Sequence, residues 1–392
     1  VEAATPNDLR HTARAASLRT MTARRATLFV CIAAVSSAVV KAVDWNVVQQ
    51  QGRDYVSFAN VAQFYQFPQF TRVSRTVSLR GEHRSIRAQA GTSEISINGV
   101  RFFADFPLLS SGSEELVSAM DVSKIIEPVL RPSRIQNAQK VETVILDPGH
   151  GGTDSGASNR WGSEKDFALD VALSAREQLL RAGFKVEMTR LSDAGLSLEE
   201  RVSFANRFSN AVFVSIHFNS ASGGAGLESY ALAPAGVPSN ASTENHVSAV
   251  DLQTYPGNMQ DGRNIALTAA IHASALSRLA VYDRGVRHGR FHVLRDIKVP
   301  AMLLECGFLS DPAEGQRIAT TQYRQQLGSA IAQGIQNYNT AVNYRAGGST
   351  MFAAAKMNLP PHQRSINEPL RMDRPADNPA QDQPSVSISG GE

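Results

Sequence analysis

His150, Glu164, His217 and Glu305 are the residues of this sequence whose types and settings best suit chemistry. His150 sits in the turn Asp147-Pro148-Gly149-His150-Gly151-Gly152, straight after the apolar run Val141-Glu142-Thr143-Val144-Ile145-Leu146. The run is β-branched and nearly continuous, as a parallel strand covered on both faces requires, and the proline and glycines break any further ladder or helix. Ala211-Val212-Phe213-Val214-Ser215-Ile216 leads into His217 in the same way, and Ala301-Met302-Leu303-Leu304 leads into Glu305. Three strands thus deliver two imidazoles and a carboxylate to one sheet edge, where open α/β folds place their ligands. Glu164 follows Ser163, which with Asp166 gives a box-like helix-start signal. Phe167, Val171, Ala175 and Leu179 fall on one face of that helix and Gly183 stops it, so Glu164 lies in its first turn at the same edge. Two imidazoles and one carboxylate form a common ligand set for catalytic zinc with a fourth position open to water, which leaves Glu305 as a base. Each residue alone reads as an ordinary hydrogen-bonded side chain; the four together argue for a site.

The elements that must position these groups alternate. Strand 143–147 is followed by helix 164–182, strand 184–189, and helix 198–208, opened by the capping box Ser197 and Glu200. Strand 211–217, a strand at 226–232, helix 264–279, strand 301–305 and a last helix striped by Tyr323, Leu327, Ile331, Ile335 and Tyr338 complete the pattern. The fold class is α/β, with a mainly parallel twisted sheet flanked by helices. His272 falls on the apolar face of its helix and reads as a core histidine. Arg190, Arg201, Asn206 and Asn219 read as structural hydrogen-bonding residues. The basic stretch Arg284 to Phe291, with Arg287, His288 and Arg290 followed by His292, reads mostly as a solvated face.

Four motifs in order carry a resemblance. Val144-Ile145-Leu146-Asp147-Pro148-Gly149-His150-Gly151-Gly152, Glu164-Lys165-Asp166, Ser215-Ile216-His217-Phe218-Asn219 and Leu304-Glu305-Cys306-Gly307-Phe308-Leu309-Ser310 resemble the zinc-dependent N-acetylmuramoyl-L-alanine amidases of the cell-wall type, the amidase type 3 family, over roughly 142–340. The resemblance implies that His150, Glu164 and His217 hold Zn2+, that Glu305 is the catalytic glutamate, and that the substrate is the amide between N-acetylmuramoyl and L-alanine in peptidoglycan. Rival readings are a zinc peptidase or deacetylase acting on another amide, and a catalytically inert wall-binding protein. No Gly-x-Ser-x-Gly elbow supports a serine nucleophile.

Outside that stretch the chain divides by composition. Residues 1–42 hold six basic and two acidic side chains, so the net charge of +3 leaves the remainder near −1, without the basic footprint of a nucleic-acid binder. Arg24-Arg25, an apolar run from Ala26 to Val35, and small residues up to Ala42 follow the order of a secretory signal, with translation expected to begin at Met21. No later stretch approaches a membrane span, so export to the periplasm or cell envelope is expected. Cys31 would leave with the signal, and Cys306 then stands alone as a small buried residue. Residues 44–130 read as a small α+β domain with a type I′ hairpin at Asn98-Gly99. This domain resembles the small one at the front of some copper amine oxidases and cell-wall enzymes. Residues 131–140 read as a linker, 141–342 as the catalytic domain and 345–392 as a flexible tail. The long polar segment 235–263 is a candidate regulatory lid, where an activator protein would act.

Overall fold

Thr143-Val144-Ile145-Leu146 is buried on both sides, the environment that an unbroken apolar, β-branched run requires. In the computed structural model, residues 45–239 and 247–344 are described. The expected signal segment and tail lie outside the described residues, as does the middle of the 235–263 segment.

The chain opens with β1 (Val47–Gln50), β2 (Arg53–Ser57) and α1 (Phe58–Phe64). An antiparallel meander follows: β3 (Gln69–Val73), β4 (Thr76–Arg80), β5 (Ser85–Gln89), β6 (Glu94–Ile97) and β7 (Val100–Phe103). Asn98 and Gly99 both take positive φ, 53° and 84°, as the two-residue hairpin between β6 and β7 demands. Next come β8 (Leu109–Ser111), β9 (Glu114–Ser118), α2 (Ala119–Asp121), a π-helical turn (Val122–Ile126) and α3 (Glu127–Leu130). The alternation in the meander is strict. Val77, Leu79, Ile86, Ile95, Ile97 and Phe102 enter the core, while Ser78, Arg87, Ser96 and Arg101 are half-exposed on the other face.

The second half begins with β10 (Thr143–Pro148), the short pair β11 (Ser158–Asn159) and β12 (Gly162–Ser163), and α4 (Glu164–Arg181). It continues through β13 (Lys185–Met188), α5 (Leu198–Ala205), β14 (Ala211–Asn219), β15 (Leu227–Leu232), α6 (Asp261–Arg278) and β16 (Asp283–Gly289). It ends with α7 (His292–Arg295), β17 (Ala301–Phe308), α8 (Pro312–Ile318) and α9 (Thr321–Asn343). Ser197 and Glu200 form the reciprocal capping box expected at the start of α5. Phe167 and Val171 on α4, Ile265 and Ile271 on α6, and Leu327 and Ile331 on α9 share the main core below one face of the sheet. Val202 and Ala205 of α5 and Val293 and Leu294 of α7 pack with Phe213 and Leu303 in a smaller core on the other face.

The expected mainly parallel sheet holds for the six strands of the second half, where four of the five pairings are parallel, and it continues into the antiparallel meander so that the whole sheet is mixed. Eleven strands run in the order β13-β10-β14-β17-β15-β16-β7-β6-β5-β4-β3, and only the first four form an all-parallel block. β15 is antiparallel to β17 because the loop from β14 is too short for a crossover and returns the chain from the edge it reached. A correction concerns Arg284 to Phe291, which is not a solvated face. Its residues up to Gly289 form β16 inside the sheet, where Arg287 meets Glu228 at 2.7 Å and His288 meets Asp105 at 2.7 Å. Arg290, just beyond the strand, meets Asp251 at 2.5 Å. Partners remote in sequence made these charges compatible with burial. Among the described residues, no helix is long and apolar enough to cross a membrane.

Candidate metal centre

The turn after β10 is held by two buried arginines. Arg201 pairs with Asp147 at 2.7 Å and also donates to the carbonyls of Pro148 and His150, both at 2.8 Å. Arg190 donates to the carbonyls of Pro148, Gly149 and Lys165 at 3.0, 2.8 and 2.7 Å. Four of these contacts, two to Pro148 and one each to Gly149 and His150, thereby replace the ladder that Pro148 and the glycines end. Burial alone would raise the Asp147 carboxyl, but Arg201 and hydrogen bonds from Thr189 and Ser215 hold it below the usual range. His150 sits at φ 57°, a left-handed backbone that costs a non-glycine residue on the order of 1–3 kcal/mol. The adjoining Gly149 has a steric reason: a Cβ there would lie 2.3 Å from Cε1 of His217.

Three side chains converge beyond this turn. His150 Nε2 lies 3.1 Å and His217 Nδ1 2.9 Å from Oε1 of Glu164, the first residue of α4. The ligand atoms of the three all fall within 4.8 Å of one another. The imidazole rings stand nearly perpendicular, 79° apart, with centroids separated by 5.0 Å. Glu164 is oriented by the backbone, accepting from Ala157 N at 2.9 Å and Phe218 N at 3.0 Å. Burial pushes its carboxyl up, yet His150 and His217 outweigh that and hold it well below its ordinary value. For His150 the balance runs the other way: burial pulls the imidazole down, and Glu164 and Asp154 raise it. The Asp154 carboxylate, 2.7 Å from His150 Nδ1, fixes the ring so that Nε2 faces the cluster.

Glu305 on β17 pairs in register with His217 on β14 and with Glu228 on β15, so all three point to one face. It is buried, and among the described residues its Oε2 has no hydrogen-bond partner. Burial first, then the charges of Glu164 and Glu228, drive its carboxyl well above the usual range. The four residues singled out in the sequence are therefore brought to one edge. Asp154 and Glu228 were not singled out. Each had a signal: Asp154 stands in the glycine-rich turn four residues after His150, and Glu228 is the one acid in an apolar strand.

The remaining expectations sort by contact. Ser163 stands at the start of α4, but its hydroxyl donates to Asp166 at 2.6 Å instead of capping a backbone N–H. Asn206 is structural, bridging Asp296 O and Lys298 N, and Asn219 accepts from Ser220 N. His272 is a core residue bonded to Ser229 and Asp283. Cys306 is fully buried, and burial pushes its thiol up, away from nucleophilic use. The described part of the 235–263 segment follows Leu232, at the opposite end of β15 from Glu228, and packs Val237 against Tyr55 and Phe106. It therefore does not begin as a cover over the imidazoles.

Two imidazole nitrogens and a carboxylate within reach of one point, beside a buried carboxylate oxygen still lacking a partner, fit a zinc ion by donor type and by the capacity left over. Fold and site together define an α/β protein with a candidate metal centre at the carboxyl edge of its parallel strands. The family model of N-acetylmuramoyl-L-alanine amidases matches residues 144–337. The chain is 32% identical over 195 residues to the sporulation-specific N-acetylmuramoyl-L-alanine amidase of Bacillus subtilis, covering 49% of this chain and 66% of that protein. It is 32% identical over 214 residues to the N-acetylmuramoyl-L-alanine amidase CwlM of Bacillus licheniformis, covering 54% of this chain and 74% of that one. A solved N-acetylmuramoyl-L-alanine amidase of Clostridium difficile 630 superposes with a TM-score of 0.42 at 32% identity, over 51% of this chain and 97% of its own. The chain belongs to the type 3 N-acetylmuramoyl-L-alanine amidase family.

Proposed function

We propose that this protein hydrolyses the amide bond between N-acetylmuramoyl and L-alanine in peptidoglycan, with His150, Glu164 and His217 holding a zinc ion. The observation that carries the reading is the convergence of these three ligands within 4.8 Å of one another, at a sheet edge shared with an unpartnered Glu305 oxygen. A bound zinc ion would act as a Lewis acid on the amide carbonyl and lower the pKa of a water. Glu305 accepts the proton of the attacking water and returns it to the leaving amine. Burial first, then the charges of Glu164 and Glu228, raise its carboxyl well above the usual range, which makes it a stronger proton acceptor than an exposed glutamate. Asp154 keeps the His150 ring turned toward the cluster, and Arg190 and Arg201 keep the turn in its left-handed form.

Digestion of purified peptidoglycan tests the reading. New L-alanine amino termini are expected, whereas cleaved peptide crosslinks would point to the peptidase alternative and unchanged material to an inert wall-binding protein. In the same reading the protein is exported to the cell envelope by the segment within 1–42. Residues 44–130 are read as a small domain and 141–342 as the catalytic domain, with 131–140 between them in the chain and one sheet continuing from one to the other through β7 and β16. An activator protein acting on 235–263 would work from the far end of β15, where Arg290 holds Asp251 and the carbonyls of Pro234 and Val237.

A further inference from the structure

Arg160 and Trp161 form the turn between β11 and β12, a hairpin rooted on the candidate metal ligands themselves. Ala157 N, just before β11, donates to Oε2 of Glu164 at 2.9 Å, and Glu164 directly follows β12. A Cβ on Gly156 would come within 2.5 Å of Glu164 Oε2 and 2.6 Å of His150 Cδ2, so the chain leaves the cluster at contact distance. Asn159 fixes the tip. Its Oδ1 accepts from the N–H groups of Trp161 and Gly162 at 2.9 and 3.2 Å, and its Nδ2 donates at 3.1 Å to the carbonyl of Leu309, just after β17. The indole is seated on α8, where a Cβ at Gly315 would lie 3.0 Å from Cζ3 of Trp161. Arg160 is exposed, and its guanidinium carbon lies 4.2 Å from the centroid of the Trp161 ring. Stacking engages the flat face of a guanidinium and leaves its in-plane N–H donors unspent. Among the described residues, Arg160 makes no hydrogen bond or ion pair. By contrast, Arg190 and Arg201 spend their donors on the turn of His150, and Arg317 and Arg324 spend theirs on Glu314 and Asp170.

We propose that Arg160, held on the Trp161 ring, receives the free α-carboxylate of the second residue of the peptidoglycan stem peptide, and so selects stems in which that group is an acid. The proposal rests on the amidase reading above and names a feature of the substrate that this site favours. Its reach fits. Three residues separate Trp161 from Glu164, which at about 3.3 Å per residue sets the tip roughly 10 Å along the chain from the ligand. An extended stem advances by at most about 3.6 Å per residue, so the tip spans the first two or three residues beyond the bond to be cleaved. Its chemistry fits as well, because a planar fork takes both oxygens of a carboxylate at once, which a point charge does not. The stack on Trp161 and the rigid turn under it have already restricted the side chain, so less freedom is lost when the carboxylate arrives.

Two soluble muramoyl tripeptides test the contact, one with D-glutamate and one with D-isoglutamine at the second position, which differ only in whether that α-carboxyl is free or amidated. The zinc-loaded full chain is expected to prefer the acid. Arg160→Ala should raise KM for the acid about tenfold, the loss of a charge-assisted pair, and KM for the amide by less than about twofold, with kcat and bound zinc unchanged. Trp161→Leu, which releases the guanidinium, should raise KM for the acid about two- to fivefold, and Trp161→Phe, which keeps a ring beneath it, should raise it less. A hairpin with a structural role alone would instead lose kcat or melting temperature and affect both substrates alike. Equal KM for acid and amide in the parent protein, or equal losses on both in Arg160→Ala, would overturn the contact. Failure of the parent protein to cleave either tripeptide would count against the amidase reading. The contact would still be decided by fluorescence titration with the free stem tripeptides in a Trp45→Phe background, where Trp161 is the one tryptophan left. A tighter response to the acid that Arg160→Ala removes would support it, and an equal response to acid and amide would overturn it.

Discussion

Two of the groups of histidine and carboxylate in the fold invite comparison, one at the sheet edge and one where the meander meets β16. In the first, His150 and His217 keep 17% and 21% of their side chains exposed and turn ring nitrogens toward one Glu164 oxygen. In the second, His288 and Asp105 are 3% and 0% exposed and pair at 2.7 Å, with Asp121 close by. The first lowers its carboxylate and gathers lone pairs toward a point that solvent reaches. The second keeps its protons: burial and the neighbouring Asp105 push the Asp121 carboxyl up to about 8, and Asp105 raises His288 against the opposing effect of burial. Similar residue types therefore do different work. Access and convergent donors suit a cation, whereas mutual satisfaction away from water makes a joint between two parts of the sheet.

The sharpest way to break this contrast is to remove the proposed proton acceptor beside the first group. Glu305→Gln keeps shape and burial, and turnover on peptidoglycan should fall by about 10²–10⁴-fold, the usual share of general acid–base catalysis. Zinc content after dialysis, measured by elemental analysis, should be unchanged. A variant that retains activity would remove Glu305 from the mechanism, and one that loses zinc would place it among the ligands. A second effect concerns the scaffold of that edge. Arg201→Met leaves Asp147 buried without its partner and strips hydrogen bonds from the carbonyls of Pro148 and His150. A stability loss of about 3–5 kcal/mol in chemical denaturation is expected, as for breaking other buried pairs. A loss below about 1 kcal/mol would mean that the turn holds its left-handed histidine without this arginine.

Much of the first group was legible because its histidines and Glu305 end or interrupt long apolar runs. A strand end announces itself by an abrupt change from β-branched residues to proline and glycine, where His150 stands, whereas His217 and Glu305 are polar interruptions of apolar runs whose strands continue to Asn219 and Phe308. The capping box at Ser197 and the Asn98-Gly99 turn were legible for the same local reason. The second group was not. β16 reads as Asp283-Arg284-Gly285-Val286-Arg287-His288-Gly289, a string with one large apolar residue, and it becomes a strand only because Glu228, Asp105 and its neighbours supply partners from distant positions. Asp154 and Glu228 were missed because their roles depend on side chains brought near them by the fold. The direction of β15 was likewise hidden, since it follows from the loop before it and from β17 arriving later between β14 and β15.

The smallest expected effect tests the second group through its protons. Both groups whose values move there, Asp121 and His288, have folded-state values above their ordinary ones, so the native protein binds these protons more tightly than the unfolded chain. Their contribution is fully present below the unfolded values and is lost as pH rises through the folded ones, which for Asp121 means up to about 8. The melting temperature should therefore decline between about pH 5 and pH 9. Asp121→Asn mimics the protonated acid and keeps an oxygen for the Asp105 N–H, a bond of 2.6 Å in the parent protein. Relative to the parent, the variant should gain on the order of 1–2 kcal/mol at the alkaline end compared with the acid end, about 2–4 °C per kcal/mol in melting temperature. Parallel curves for the two proteins would show that Asp121 does not hold its proton in the native state. The joint would then be an ordinary buried ion pair, with its charge balance set by His288 and Asp105 alone.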